Sequence, residues 1–278
     1  MHFMKPEEMW DKSLGGEDTS NELTHWGGNL CYVVVGAICK VCWRYKVINR
    51  KNLRDFKGKC GVLVASNHTS YLDVVLMYCA SRPSQWLRFI ARDTLFKAGH
   101  GWLGQAISRA GAFPIKRGTA DRTCLKRAAK HLKNKEVVGI LPEGSRRNKG
   151  SMKPTVNAGA AFIVRMAGNV PILPMTVRNA EKVKNKGERI HFPKIYVEYG
   201  EPVLLQDFDF LPKADRLEAC TWYVLRECYA LFYEIEPEKV DMAALFPDDK
   251  DYTAVFAEHP IPRHTTAEAI KAWEELQG

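Results

Sequence analysis

From residue 61 onward the chain alternates short apolar runs with longer stretches of helical periodicity, and several of the runs stop at a compact polar motif. That alternation confines the fold to a sheet with helices packed on it, because each strand is too uniformly apolar to face water. GVLVAS at 61–66 suits a buried strand, and 71–81 follows as a helix. Further strands are expected at 86–91, 112–115, 137–141 and 172–177, the last interrupted by Pro174, and an alternating one at 189–199. Helices are expected at 94–110, 121–135, 156–167 and 212–236. Beyond Pro237 the composition turns acidic and irregular, with a short last helix at 266–276. The resulting partition is an N-terminal helical segment (1–50), one α/β domain (51–237) and an acidic C-terminal appendage (238–278).

Ligands of open α/β sheets collect beyond the strand ends, so the motifs at those ends are the places to look for chemistry. The first is NHTSYLD, directly after the 61–66 strand. On one continuous helix His68 and Asp73 would lie about 140° apart and could not meet. With His68 in the strand-to-helix loop and Asp73 in the first turn, the carboxylate can fold back onto the imidazole. It would then fix the tautomer and make the other ring nitrogen a general base. The logic is that of a Ser-His-Asp triad whose hydroxyl is supplied by the substrate, since the chain has no GxSxG nucleophile elbow.

The second motif, GAFPIKRG, ends a strand with Lys116 and Arg117 between glycines, a pairing suited to phosphate oxygens or to an ordinary solvated turn. The third, PEGSR, sets Glu143 and Arg146 around Gly144 and Ser145, whose amides and hydroxyl could hold phosphate or glycerol oxygens. An internal ion pair within a charged turn is the plainer alternative. VPILP at 170–174 reads only as a shaped strand edge.

Charge bears on the expected ligand. The chain carries a formal +9, but the tail from Glu238 holds nine acidic residues against four basic ones, so residues 1–237 carry about +14. Arg122, Lys126, Lys130 and Lys133 share one face of the 121–135 helix, opposite Leu125, Ala128, Ala129 and Leu132. That basic face suits an anionic leaflet, coenzyme A phosphates, an acidic carrier protein, or water alone. No nucleic-acid-binding motif accompanies the charge, so nucleic acid is not an expected partner. The eight cysteines lack the spacing of a disulfide framework, and Cys39-Lys-Val-Cys42 has no companion pair or histidine cluster to make a metal site. The start MHFMKPEEMWDKS is no secretory signal. The apolar stretch 30–39, extended to Trp43 if Lys40 snorkels, is shorter than a spanning helix and is flanked by interfacial aromatics. It is expected to lie in one leaflet, the alternative being a helix buried against the body.

The ordered set NHTSYLD, GAFPIKRG, PEGSR and VPILP resembles the lysophosphatidic acid acyltransferases of the glycerolipid acyltransferase superfamily, over roughly residues 45–235. GEP at 200–202 also looks like the family's late strand end. The resemblance implies a glycerolipid-acyltransferase-type mixed sheet flanked by helices, with an N-terminal membrane-associated helix. It implies transfer of a fatty acyl group from a thioester, acyl-coenzyme A or acyl-carrier protein, to lysophosphatidic acid, with no bound cofactor and no metal; the alternatives are another acceptor (glycerol-3-phosphate, another lysophospholipid or an aminolipid) or a non-catalytic peripheral membrane protein of the same fold. His68 and Asp73 match the catalytic dyad, Arg117 the basic residue of the second motif, and Glu143 with Arg146 the substrate-holding turn. The implied setting is the cytoplasmic side of the cell membrane, peripheral or monotopic. One departure stands out: where the family commonly has a basic residue shortly before a helix glycine, this chain has Asn157 ahead of Ala158-Gly159. Whether Lys153 takes that place is left open by the sequence.

Overall fold

The computed structural model describes residues 25–116, 121–147, 154–183, 187 and 189–278. Seven strands make one sheet: β1 (Lys46–Ile48), β2 (Val62–Ser66), β3 (Leu87–Arg92), β4 (Ala112–Ile115), β5 (Val137–Ile140), β6 (Ile172–Arg178) and β7 (Tyr196–Tyr199). Their order is β1-β7-β6-β2-β5-β3-β4, with every neighbouring pair parallel except β6 and β7. This is the mixed sheet expected from the sequence. β2 is central and buried at all five residues, which is why it reads as an unbroken apolar run. The chain passes from β2 to strands on both of its sides, so its C-terminal end lies at a switch in strand order, where such sheets leave a crevice.

The helices are α1 (His25–Trp43), α2 (Arg50–Arg54), α3 (Leu72–Ser81), α4 (Asp93–Lys97), α5 (Trp102–Arg109), α6 (Arg122–Lys133), α7 (Gly159–Met166), α8 (Arg216–Tyr233), α9 (Met242–Leu245), α10 (Thr253–Glu258) and α11 (Thr266–Gln277). α8 lies against β6 and buries Trp222, Tyr223, Leu225 and Tyr229, which carries the Tyr229 hydroxyl beneath the end of β2. α6 starts at Asp121, whose side chain accepts the Cys124 N–H at 3.0 Å, and it turns Ala128, Ala129 and Leu132 inward as its periodicity requires.

Several elements differ from expectation. The helix expected at 94–110 is broken, because Gly99, His100 and Gly101 adopt left-handed φ values of 59°, 54° and 87°. Glycine at two of these three positions makes the break inexpensive, and α4 and α5 then pack closely enough that a Cβ on Gly104 would overlap the Phe96 carbonyl. Pro174 does not interrupt its strand. β6 runs through it, losing one donor while the Pro174 carbonyl still accepts the Gly200 N–H at 2.8 Å. The alternating stretch at 189–199 forms a strand only over Tyr196–Tyr199, and β1, too short to show a period, went unseen.

The tail after Pro237 is not an irregular appendage. Phe246, Tyr252, Phe256, Ile261, Ala269 and Ile270 are buried in the same core as the sheet, and Phe256 packs edge-on against Phe208 and Tyr223. At the other end of the chain, α1 is longer than the apolar run alone suggests. Lys40 sends its ammonium back to the Tyr45 carbonyl at 3.0 Å, which lets the helix continue past it. Gly28, Gly36 and Cys39 form its buried stripe against the body. Trp26, Val33, Val34, Ile38 and Val41 are each more than half exposed. Residues Trp26–Trp43 are long and apolar enough to cross a membrane by length and composition, with a mean hydropathy of 1.3.

Candidate active site

His68 follows the end of β2 by two residues, and Asp73 is the second residue of α3. Between them the chain turns so that Asp73 Oδ2 accepts the N–H groups of Thr69 and Ser70, both at 2.8 Å, and faces His68 Nδ1 at 3.0 Å. The carboxylate sits at a helix N-terminus, where amide dipoles favour negative charge, and its side chain is 1% exposed. With Nδ1 donating to that oxygen, Nε2 is left with a free lone pair, the arrangement a general base requires. The ring itself keeps 15% exposure, so the base faces the surface while its orienting partner does not. Asn67, just before it, is pinned from the neighbouring strand: Thr176 of β6 donates its hydroxyl to Asn67 Oδ1 at 2.8 Å.

The PEGSR turn lies beside this loop, but Glu143 does not point toward a ligand. Its residue exposure is 2%, and Oε1 accepts both the His68 N–H at 2.9 Å and the Tyr229 hydroxyl at 2.7 Å. Oε2 faces Arg147 Nη2 at 3.3 Å. The expected substrate-holding role therefore does not fit Glu143: Oε1 holds the main chain of the dyad histidine and Oε2 faces Arg147 inside the protein. Burial pushes its carboxyl up from the ordinary value of 4.5, opposed by Arg147, the Tyr229 hydroxyl and the His68 N–H. The ion pair within the turn is made by Arg147, one residue beyond Arg146.

Gly144 takes a left-handed φ of 67°, which closes the turn. The turn amides that seemed suited to phosphate are used by the turn itself: Gly144 N–H donates to the Leu141 carbonyl at 3.1 Å and Ser145 N–H to the Glu143 carbonyl at 2.7 Å. The amides near the start of α3 are likewise engaged. Thr69 and Ser70 donate to Asp73, Leu72 to the Ser70 hydroxyl, and Asp73 to the Ser70 carbonyl.

Arg146 is placed differently from Glu143. Its guanidinium stacks 3.4 Å from the centroid of the Tyr71 ring, itself 68% exposed, so this cation stands at the mouth of the His68 loop. Lys116 is exposed at the end of β4, with its N–H on the Asp121 carboxylate at 2.9 Å. Arg117 and Lys153 lie outside the described residues. Sequence reasoning missed Arg147, Tyr229 and Tyr71. The i, i+4 spacing of Glu143 and Arg147 was a usable signal; nothing in the sequence links Tyr229 to a turn 86 residues away.

Comparison with known proteins bears on the family and the fold. A family model described as "Acyltransferase" matches residues 44–178. The 1-acyl-sn-glycerol-3-phosphate acyltransferase of Bacillus subtilis is 30% identical over 176 residues, 63% of this chain and 82% of that protein. The mouse 1-acyl-sn-glycerol-3-phosphate acyltransferase alpha is 30% identical over 132 residues, 46% of this chain and 44% of its own length. The crystal structure of the 1-acyl-sn-glycerophosphate acyltransferase PlsC from Thermotoga maritima shares the fold with a TM-score of 0.53 at 22% identity, covering 79% of this chain and 85% of that one. The chain belongs to the acyltransferase family, together with the 1-acyl-sn-glycerol-3-phosphate acyltransferase of Bacillus subtilis.

Proposed function

We propose that this enzyme moves a fatty acyl group from a thioester, of coenzyme A or acyl-carrier protein, to the free hydroxyl of lysophosphatidic acid, forming phosphatidic acid. The observation that carries the reading is His68 Nδ1 at 3.0 Å from Asp73 Oδ2, with the Arg146 guanidinium held over Tyr71 on the same loop. A base and a phosphate-binding cation thus share one entrance. The names of the relatives favour the same acceptor.

In the reaction, His68 Nε2 takes the proton of the acceptor hydroxyl as its oxygen attacks the thioester carbonyl. The tetrahedral intermediate collapses with cleavage of the C–S bond, and the thiolate leaves with the proton from the imidazolium. Asp73 stabilises that imidazolium and keeps the ring oriented without itself taking a proton. Arg146 binds the acceptor phosphate, assisted by Lys116 and Arg117. Both substrates are amphiphiles, and the exposed apolar face of α1 supports attachment to a membrane, in this reading an anionic surface met from the cytoplasmic side. The test is thiol release from a fatty acyl-coenzyme A with lysophosphatidic acid in detergent micelles, repeated with acyl-carrier protein as donor. Acceptor-dependent release should fall by about 10²–10⁴-fold in His68→Ala. Equal release by both proteins would remove His68 from the mechanism, and release indifferent to the acceptor's phosphate would remove Arg146.

A further inference from the structure

The chain after Pro237 lies outside the region matched by the acyltransferase family model, yet it reaches the PEGSR turn's neighbour Arg147 and, further along the chain, Val156. Arg147 Nη1 donates to the Leu245 carbonyl at 2.8 Å, and the same guanidinium lies 4.7 Å from the Phe246 ring centroid. Nine residues further on, the Val156 N–H donates to Asp249 Oδ2 at 3.0 Å. The segment making these contacts is firmly seated: Val240, Met242 and Phe246 are buried, Asp241 caps α9 through the Ala244 N–H at 2.9 Å, and Phe246 packs edge-on to Tyr229.

On its other side Arg147 faces the dyad. Its Nε donates to the Tyr229 hydroxyl at 2.6 Å, Nη2 pairs with Glu143, and its own N–H donates to the His68 carbonyl at 3.1 Å. Since Glu143 accepts the His68 N–H, the histidine is held at both main-chain groups by one turn. That turn is in turn held by one guanidinium gripping α8 and the C-terminal segment. We propose that residues 240–249 are a positioning element of the active site, acting through Arg147 to fix the His68 main chain. This rests on His68 being the catalytic base. A planar guanidinium with fixed donor directions suits such a joint, because it can satisfy several partners only in one orientation. The same engagement makes Arg147, unlike Arg146, a poor anchor for substrate phosphate.

The experiment compares the full-length wild type with Asp249→Ala, Phe246→Leu and Arg147→Lys. Asp249 is only half-buried, so its variant keeps the fold even if the other two prove unstable. Amide hydrogen exchange is read across 66–73 and 143–147, alongside the thermal midpoint, kcat and KM with lysophosphatidic acid, and the pH profile of kcat/KM. The expected result is exchange about tenfold faster or more at the His68 and Arg147 amides and kcat reduced about tenfold with KM nearly unchanged. The acid limb of the pH profile should move as the His68–Asp73 contact loosens, and Phe246→Tyr should restore kcat. Exchange changes confined to 240–250, with kcat and pH profile intact, would overturn the proposal by reducing the segment to packing. So would a loss carried wholly by KM, which would make Arg147 a substrate anchor. If the wild type fails to acylate lysophosphatidic acid, the acceptor assignment falls, and the exchange measurement alone decides whether 240–249 positions His68.

Discussion

Glu143 offers the sharpest single perturbation, because its carboxylate accepts two internal hydrogen bonds, faces the Arg147 guanidinium and reaches no solvent. In Glu143→Ala the His68 N–H and the Tyr229 hydroxyl lose their acceptor, and Arg147 loses its counter-ion. A buried donor left unpaired costs about 1–3 kcal/mol, and breaking a buried ion pair about 3–5 kcal/mol. The Arg147 side chain keeps 22% exposure, so water partly compensates its charge and the total belongs near 3–5 kcal/mol, not at the sum. At roughly 2–4 °C per kcal/mol for a chain of this size, the thermal midpoint should fall by about 6–20 °C. Displacement of His68 should lower kcat by about 10²-fold, and Glu143→Gln, which keeps one acceptor oxygen, by less. The pH dependence separates the causes. Burial raises the Glu143 carboxyl above 4.5 in the folded protein. A raised carboxyl contributes stability that is fully present below its unfolded value and lost as pH rises through its folded value. The midpoint of the wild type minus that of Glu143→Gln should therefore decrease as pH is raised from about 4.5. A difference that grows with pH would refute the reasoning, since pairing with Arg147 would then outweigh burial.

Asp73→Asn should leave the fold intact but lower kcat by about 10³–10⁴-fold, measured by thiol release, because an amide cannot stabilise the imidazolium. Tyr71→Leu removes the ring under Arg146, a contact of about 0.5–1 kcal/mol, so KM for the phosphorylated acceptor should rise about two- to fivefold with kcat retained, and Tyr71→Phe should restore it. Replacing Val33, Ile38 and Val41 on the exposed face of α1 by aspartate should abolish flotation with anionic vesicles while acylation of micellar substrate persists. Glu136, where burial is more than reversed by His131 and Arg88, titrates below its usual value of 4.5. Its contribution is therefore present above about pH 4.5 and lost as pH falls through the depressed value, so wild type and Glu136→Gln should differ in thermal midpoint at neutral pH and converge in acid.

Much of this architecture can be read from the sequence because β2, β5 and β6 are buried on both faces, and that burial writes itself as mainly apolar runs. The motifs are legible for a related reason: a dyad built within six residues needs only the local turn that 67–73 provides. What escaped is long-range or too short to carry a period. β1 has three residues, and the tail hides its buried aromatics Phe246, Tyr252 and Phe256 among acidic neighbours. The direction of Glu143 was misread because a carboxylate beside glycine and arginine looks solvated until Tyr229 arrives from α8.

The two loops at the sheet's switch point brace one another through both main-chain groups of His68, and this explains where the acidic and basic groups of the site end up. The Asp73 carboxylate is supplied with donors by its own loop, so it can act on the imidazole without outside help. The main chain of His68 has no partner within that loop and finds both in the other: its N–H on Glu143 and its carbonyl on Arg147. A residue held that way is only as rigid as the turn holding it, and a five-residue turn with a left-handed glycine has little stiffness of its own. Glu143 and the partly exposed Arg147 supply the missing stiffness by reaching α8 and the C-terminal segment. Arg146, between them in sequence, is left to face the entrance, its guanidinium over the exposed Tyr71 ring. One arginine serves the scaffold and the other the ligand, and exchanging their roles would require the turn to flip.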